Sequence, residues 1–141
     1  MSHKPGTIPI KKFREIELVL LFYADFRSDL PSDEGIELIS NELKVAKRHV
    51  QEAINQVKEI HSYLAEIDAL ICKVSTSYDL RRINYVERAI LRLAVFELHM
   101  GKKLDPAIVI AEAKRLARKF STDGAAAFCQ ALIDATIKKI S

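Results

Sequence analysis

The sequence predicts an all-α protein, a single-domain bundle of about six or seven helices over residues 1–141, with residues 1–9 expected to be flexible. Apolar residues recur at steps of three and four along most of the chain, which is the spacing of one face of a helix. No stretch alternates between polar and apolar residues, so strands are not expected. A hydrophobic content of 49% over 141 residues is enough for one domain with a substantial core.

The first half of the chain is predicted to form three helices. The first covers residues 10–27, with Thr7 as a candidate N-cap, and the second covers residues 33–47. From residue 50 to residue 74 the apolar positions and His61 repeat at roughly 3.5 residues per turn. This regular spacing predicts one long third helix packed lengthwise on its neighbours, with His61 at the edge of the core.

Residues 84–101 are predicted to form a central helix because the segment is apolar nearly all round. Its polar positions reduce to one stripe of Arg88, Arg92 and His99. Such a helix must be surrounded by other helices, and Gly101 is a natural residue for its C-terminus.

Two further helices follow. Asp105 and Pro106 form a cap and first-turn pair for the first of them. Either Ser121 or Thr122 can cap the last helix.

The composition argues for a cytoplasmic protein without catalytic chemistry. The N-terminal residues lack the apolar core of a signal peptide, and no apolar run approaches the length of a membrane span. Cys72 and Cys129 both lie on apolar helix patterns and are predicted to be small buried side chains without a disulfide. The four histidines are scattered and no glycine-rich phosphate loop is present, so we expect no metal, no cofactor and no enzymatic activity.

Positive charge is concentrated in two segments, although the net charge is only +3. Residues 1–14 contain basic residues and no acidic one. In the second segment, four cations fall within about 140° of one helical face, with no acidic residue in that arc. This face is either an ordinary solvated surface or an electrostatic footprint for phosphate, and the sequence leaves both open. The four residues are Lys114, Arg115, Arg118 and Lys119.

A series of short motifs carries a resemblance to a known family. They are Arg14-Glu15, Leu21-Phe22, Val86-Glu87-Arg88-Ala89-Ile90-Leu91-Arg92-Leu93-Ala94, Phe96-Glu97-Leu98, Asp105-Pro106, Ile110, Glu112-Ala113, Leu116-Ala117-Arg118-Lys119-Phe120, Phe128 and Leu132-Ile133-Asp134. Together they resemble the NusB family of bacterial transcription antitermination factors. The resemblance covers most of the C-terminal half and a short N-terminal signature, whereas residues 30–80 match only in helical character.

The resemblance implies a function in RNA binding and protein pairing. NusB pairs with NusE, a small ribosomal-subunit protein, and the pair binds the single-stranded boxA element of nascent ribosomal RNA within the RNA polymerase antitermination complex. The resemblance assigns Phe22 and Glu87 to the surface that contacts NusE. The residues that match the family's RNA contacts are Lys11, Lys12, Arg14, Asp123, Phe128 and Gln130, with the four cations of residues 114–119 as an alternative RNA surface. Phe128 also fits a core position, so base contact and core packing both remain open.

The chain departs from the family pattern at its expected RNA-binding end. Two lysines and one arginine stand where the family is usually rich in arginine, and lysine lacks the bidentate geometry of guanidinium. Gln130 and Ala131 replace an Asn-Gly pair, and Gly124 occupies the usual acidic position, with Asp123 one place earlier. These differences predict weaker RNA binding.

Two other functions remain compatible with the sequence. One is a helical protein-interaction module, such as a homodimer that buries the basic surface against itself. The other is an RNA-binding accessory subunit of an RNA-modification enzyme.

Overall fold

The computed structural model describes residues 8–75, 79–101 and 103–140, and in these ranges the chain is helical with no strand. These ranges contain seven α-helices, a short 3-10 helix and a π-helical turn. The all-α prediction is therefore confirmed. Thr7 and the rest of residues 1–7, for which a cap and flexibility were predicted, lie outside the described residues. The chain divides into two compact units, residues 1–59 and 60–141, and a single domain over the whole chain stays a prediction.

The first unit contains α1 (Ile10–Arg27), α2 (Asp33–Leu43) and most of α3 (Lys47–Ser62). The α1 helix has the predicted bounds. It begins after Pro9, whose carbonyl oxygen accepts from the N–H groups of Lys12 and Phe13 at 3.0 and 3.1 Å. It ends because Ser28 adopts a left-handed conformation with φ of 61°. The buried apolar side chains of this unit include Ile16, Leu20, Val50 and Val57.

The α2 helix ends at Leu43, earlier than the predicted end at residue 47. Lys44 turns the chain with a left-handed φ of 56°, and its N–H donates to the carbonyl oxygens of Asn41 and Ser40. The N–H of Val45 then donates to the same Ser40 oxygen at 3.0 Å. These bonds satisfy the last carbonyl groups of the helix and close it without a glycine.

The predicted long helix over residues 50–74 is wrong, because the segment consists of two helices, α3 and α4 (Leu64–Val74). Tyr63 separates them with φ of −106° and ψ of 8°, outside the helical region. Its N–H donates to Ile60 and its carbonyl accepts from Ile67. Its ring lies 6.1 Å from the ring of Phe96, centre to centre. The apolar spacing continues through this break, so periodicity alone could not reveal it.

The second unit holds the end of α3, α4, a 3-10 helix (Leu80–Arg82), α5 (Tyr85–Val95), a π-helical turn (Phe96–Met100), α6 (Pro106–Phe120) and α7 (Asp123–Ile140). The α6 and α7 helices pack against each other, and α5 packs against both and against α4. Ile90 and Leu91 are 1% exposed and Leu93 is 2% exposed. The predicted burial of the central helix is confirmed.

The polar stripe of the central helix is largely a packing feature. Arg88 is buried, and its Nη1 donates to the carbonyl oxygen of Leu80 at 3.2 Å. Arg92 makes a bidentate pair with Asp68, in which both N···O distances are 2.9 Å. Only His99 is exposed. Two guanidinium groups thus connect α5 to the elements packed around it.

Gly101 ends the central helix for a different reason from the one predicted. Its φ is −87°, so it does not occupy the left-handed region expected of a C-terminal glycine. A Cβ atom at this position would lie only 2.8 Å from Cε2 of Phe96. A larger residue here would force the ring of Phe96 to shift, so the close approach of this ring favours glycine.

The predicted caps of the last two helices are present. Asp105 accepts from the N–H of Ala107 at 2.8 Å, and Pro106 is the first residue of α6. Thr122, rather than Ser121, caps α7 by accepting from the N–H of Ala125 at 2.9 Å.

The two cysteines lie in different surroundings. Cys129 on α7 is buried as predicted, whereas Cys72 on α4 is exposed, so its predicted burial is wrong. The neighbouring Ile71 takes the inward position of α4 instead, at 1% exposure. In the described ranges, no helix is both long and apolar enough to cross a membrane.

Candidate functional site

The basic segment of α1 offers less exposed charge than its sequence suggests. Lys11 is exposed, and Lys12 is half-buried with its Nζ 3.6 Å from Oε1 of Glu15. Arg14 is only 6% exposed. Of the three predicted RNA contacts in this segment, Lys11 is therefore the most exposed, while the side chain of Arg14 is buried.

An aromatic pair marks the C-terminal half of α1. The rings of Phe22 and Phe26 are stacked, with centroids 6.1 Å apart and planes inclined by 6°. They are 36% and 60% exposed, which is unusual for large apolar side chains. The family resemblance indicated Phe22 as a partner contact, but Phe26 was not predicted. The four-residue spacing between them, which places both on one helical face, was the available signal.

The N-terminus of α5 is closed by a reciprocal capping arrangement. The N–H of Glu87 donates to Oδ1 of Asn84 at 2.8 Å, and Nδ2 of Asn84 donates to Oε2 of Glu87. Glu87 is half-buried rather than fully exposed, and burial raises the pKa of its carboxyl group. Beside it, Tyr85 is 40% exposed and carries the guanidinium of Arg88 at 4.7 Å from its ring centre.

The Glu87 carboxylate is electrostatically linked to α7. Burial raises the pKa of the Cys129 thiol to about 12, and the negative charge of Glu87 adds to the rise. The structure thus brings the predicted partner-binding glutamate of α5 close to the helix that carries three of the predicted RNA-binding residues.

Those three residues differ in their exposure. The Asp123 side chain is 94% exposed at the start of α7. Phe128 and Gln130 are half-buried. Phe128 is therefore partly packed and partly accessible, and its contact with an RNA base stays a prediction.

The four cations of α6 are not equivalent. Arg115 is held by Glu112, which is 7% exposed, through two hydrogen bonds of 2.9 and 3.0 Å. Nε of Arg118 lies 3.7 Å from Oδ1 of Asp123, in a pair whose side chains are both well exposed. Lys114 is half-buried, and Nζ of Lys119 lies 5.7 Å from the ring centre of Phe120. No acidic residue was predicted on this face. The buried Glu112 nevertheless neutralises one of the four charges, that of Arg115.

The candidate residues of the described ranges are mainly cations and aromatic rings. The described residues contain no group of three or more His, Cys, Asp or Glu side chains that could hold a metal ion. Exposed cations attract phosphate, and half-exposed aromatic rings can stack on bases or pack against a protein partner.

Comparisons with known proteins agree with this chemistry. The model of the NusB family matches residues 11–138. The chain is 34% identical to the transcription antitermination protein NusB of Chlamydia pneumoniae, over 89% of this chain and 78% of that protein. It is similar to the crystallised NusB of T. maritima, with a TM-score of 0.76 and 27% identity, covering 94% of this chain and 93% of the other. It is equally similar to a solved complex of antitermination factors NusB and NusE with double-stranded RNA, with a TM-score of 0.76, 28% identity and coverage of 92% and 96%.

Proposed function

This chain belongs to the NusB family, and we propose that it is a transcription antitermination factor. In this function it pairs with NusE, binds boxA-type RNA of nascent ribosomal RNA transcripts and helps RNA polymerase resist termination. One observation carries the proposal: the similarity to a NusB solved together with NusE and RNA extends over 92% of the chain. We place this activity in the cytoplasm, where transcription occurs, and assign the protein no catalytic step of its own.

For the NusE surface we propose the stacked Phe22 and Phe26 on α1 and, separately, Glu87 with Tyr85 at the start of α5. The aromatic pair supports this assignment because large exposed rings are enriched in protein interfaces. Glu87 supplies a carboxylate already partly removed from water, so its interaction with a cation of the partner is less weakened by solvent.

For RNA we propose contacts with Lys11 and Lys12 on α1 and with Asp123, Phe128 and Gln130 on α7. The lysines supply attraction to phosphate, which does not depend on base sequence. Phe128 and Gln130 supply the stacking and hydrogen bonds that read an unstacked base. Arg14 is included as a residue that positions α1, because its side chain is buried.

The decisive experiment is a titration of labelled boxA RNA and a scrambled RNA of equal length against the protein, alone and mixed with NusE from the same organism. We expect boxA to bind more tightly than the scrambled RNA, and NusE to increase the difference. Equal binding of the two RNAs in the presence of NusE would contradict the proposal. Measuring the mass of the protein in solution, with and without RNA, tests the homodimer alternative in the same samples.

A further inference from the structure

The α6 helix presents positive charge that the proposed RNA contacts do not use. Lys114 is half-buried and Arg118 and Lys119 are exposed. We call these three residues the α6 cationic surface. Lys114 and Arg118 are one turn apart, so their Cβ atoms lie roughly 5 to 6 Å from each other on one side of the helix.

The position of the acidic group distinguishes this surface from an ordinary solvated face. Glu112 is the only acidic residue in α6, and it is 7% exposed. Both of its carboxylate oxygens accept hydrogen bonds from Arg115. The pair therefore removes Arg115 from the exposed charge. It also leaves no carboxylate of α6 among the three remaining cations, although mixed charges one turn apart would stabilise an exposed helix better.

The exposure of Arg118 and Lys119 is compatible with a phosphate ligand. Arg118 lies near Asp123, but the two side chains are 55% and 94% exposed and 3.7 Å apart. Such a pair in water is weak, and a phosphate oxygen competes for the guanidinium. Lys119 is exposed, and its Nζ lies 5.7 Å from the centre of the Phe120 ring.

The helix dipole explains only part of this arrangement. Cations in the last turn of a helix are stabilised by the partial negative charge at its C-terminus. Arg118 and Lys119 occupy that turn, whereas Lys114 lies farther back, where the effect has faded.

We propose that the α6 cationic surface is a second RNA contact, one that binds phosphate groups without regard to base sequence. This inference rests on the proposed RNA-binding function and adds a site to it. Nε of Arg118 lies 3.7 Å from Oδ1 of Asp123, the first residue of α7, so the surface borders the start of the helix that carries Phe128 and Gln130. One RNA strand can thus be held electrostatically along α6 and read at α7.

The test compares salt dependence in two matched variants. In the first, Lys114, Arg118 and Lys119 are all replaced by Gln. In the control, Glu112→Gln and Arg115→Gln are combined, which removes the buried ion pair, keeps hydrogen-bonding groups and leaves the net charge of α6 unchanged. Affinity for boxA and scrambled RNA is measured with the full chain and NusE, by fluorescence anisotropy between about 50 and 200 mM salt.

In the triple variant we expect the slope of log affinity against log salt to become less steep by up to about 2, at roughly 0.7 per phosphate contact. The change should be equal for both RNAs. The control variant should keep the wild-type slope. Circular dichroism is measured for both variants to test whether they are folded. An unchanged slope in the triple variant overturns the inference, as does a loss confined to NusE binding in a titration without RNA. If the wild type binds neither RNA, the proposed function itself fails, which is a distinguishable result.

Discussion

The α5 and α6 helices pack against each other but use their charged residues in opposite ways. On α5, Arg88 and Arg92 are bound to groups of neighbouring elements, Leu80 and Asp68. On α6, one cation is held by a buried carboxylate and the other three remain partly or fully accessible to solvent. The same residue type is therefore fixed by packing on α5 and left accessible to solvent on α6, according to its depth and to the position of its nearest acceptor.

The largest effect on stability should come from the buried apolar residues of α5. Leu93→Ala on α5 removes a side chain that is 2% exposed, and the lost transfer energy plus the cavity should reduce the free energy of unfolding by roughly 2 to 5 kcal/mol. Leu38→Ala, the same change at a leucine that is 61% exposed, is the control and should cost less than about 0.5 kcal/mol. Denaturant unfolding measures both, and similar losses would contradict the assignment of α5 as the central helix.

The charged pairs of the two helices can be compared directly by double-mutant cycles. Arg92 and Asp68 are 11% and 25% exposed in their side chains, so alanine substitution should give a coupling energy of about 1.5 to 3 kcal/mol. Arg118 and Asp123 are far more exposed and should give about 0 to 1 kcal/mol. Equal coupling energies from thermal or denaturant unfolding would remove the distinction between the helices.

The buried thiol next to α5 predicts a loss of stability in alkali. The pKa of Cys129 is about 12 in the folded protein against an ordinary value of 9.0. Between these values the unfolded chain loses the thiol proton while the folded chain retains it. Its contribution is therefore complete below pH 9 and falls by about 1.4 kcal/mol per pH unit up to pH 12.

We expect Cys129→Ala to remove this component from the dependence of unfolding free energy on pH. Cys72→Ala, the same change at the exposed cysteine of α4, is the matched control. Identical pH dependence in wild type and the Cys129 variant would show that the buried thiol does not titrate as described.

The last prediction concerns binding rather than stability, at the end of α5 that reaches the surface. Glu87→Lys should weaken NusE binding about tenfold or more, roughly 1.4 kcal/mol, because it reverses a partly desolvated charge. Glu87→Gln keeps a side chain able to pair with Asn84 and should cause a smaller loss. Calorimetric titration with NusE measures both variants. Unchanged affinity in the lysine variant would exclude Glu87 from the interface.

Much of the fold could be predicted because burial leaves a periodic pattern in the sequence. The all-round apolar pattern of residues 86–100 identified the central helix, and the caps at Asp105 and Thr122 had the expected residue types. The break at Tyr63 could not be predicted, since apolar spacing continues through it. The end of α2 also escaped prediction because Lys44 adopts a left-handed conformation usually taken by glycine.

The candidate site was harder to predict because charge in a sequence carries no information about depth. Arg14 reads as a member of a basic segment but is buried, and Arg115 reads as part of a cationic face but is bound by Glu112. Both facts depend on which face of α1 and of α6 is turned towards the core. The exposed ring of Phe26 was missed for the opposite reason, since an apolar residue on a helix is normally assigned to the core.

The π-helical turn over Phe96–Met100 has a consequence for variation in chain length. The N–H of Gly101 donates a hydrogen bond of 2.8 Å to the carbonyl oxygen of Phe96, five residues earlier. In an α-helix the acceptor would be four residues earlier. Deleting one residue from this turn would allow ordinary α-helical bonding to resume without disturbing residues 85–95. Homologues shorter by one residue at this turn should therefore have an uninterrupted α-helix in its place.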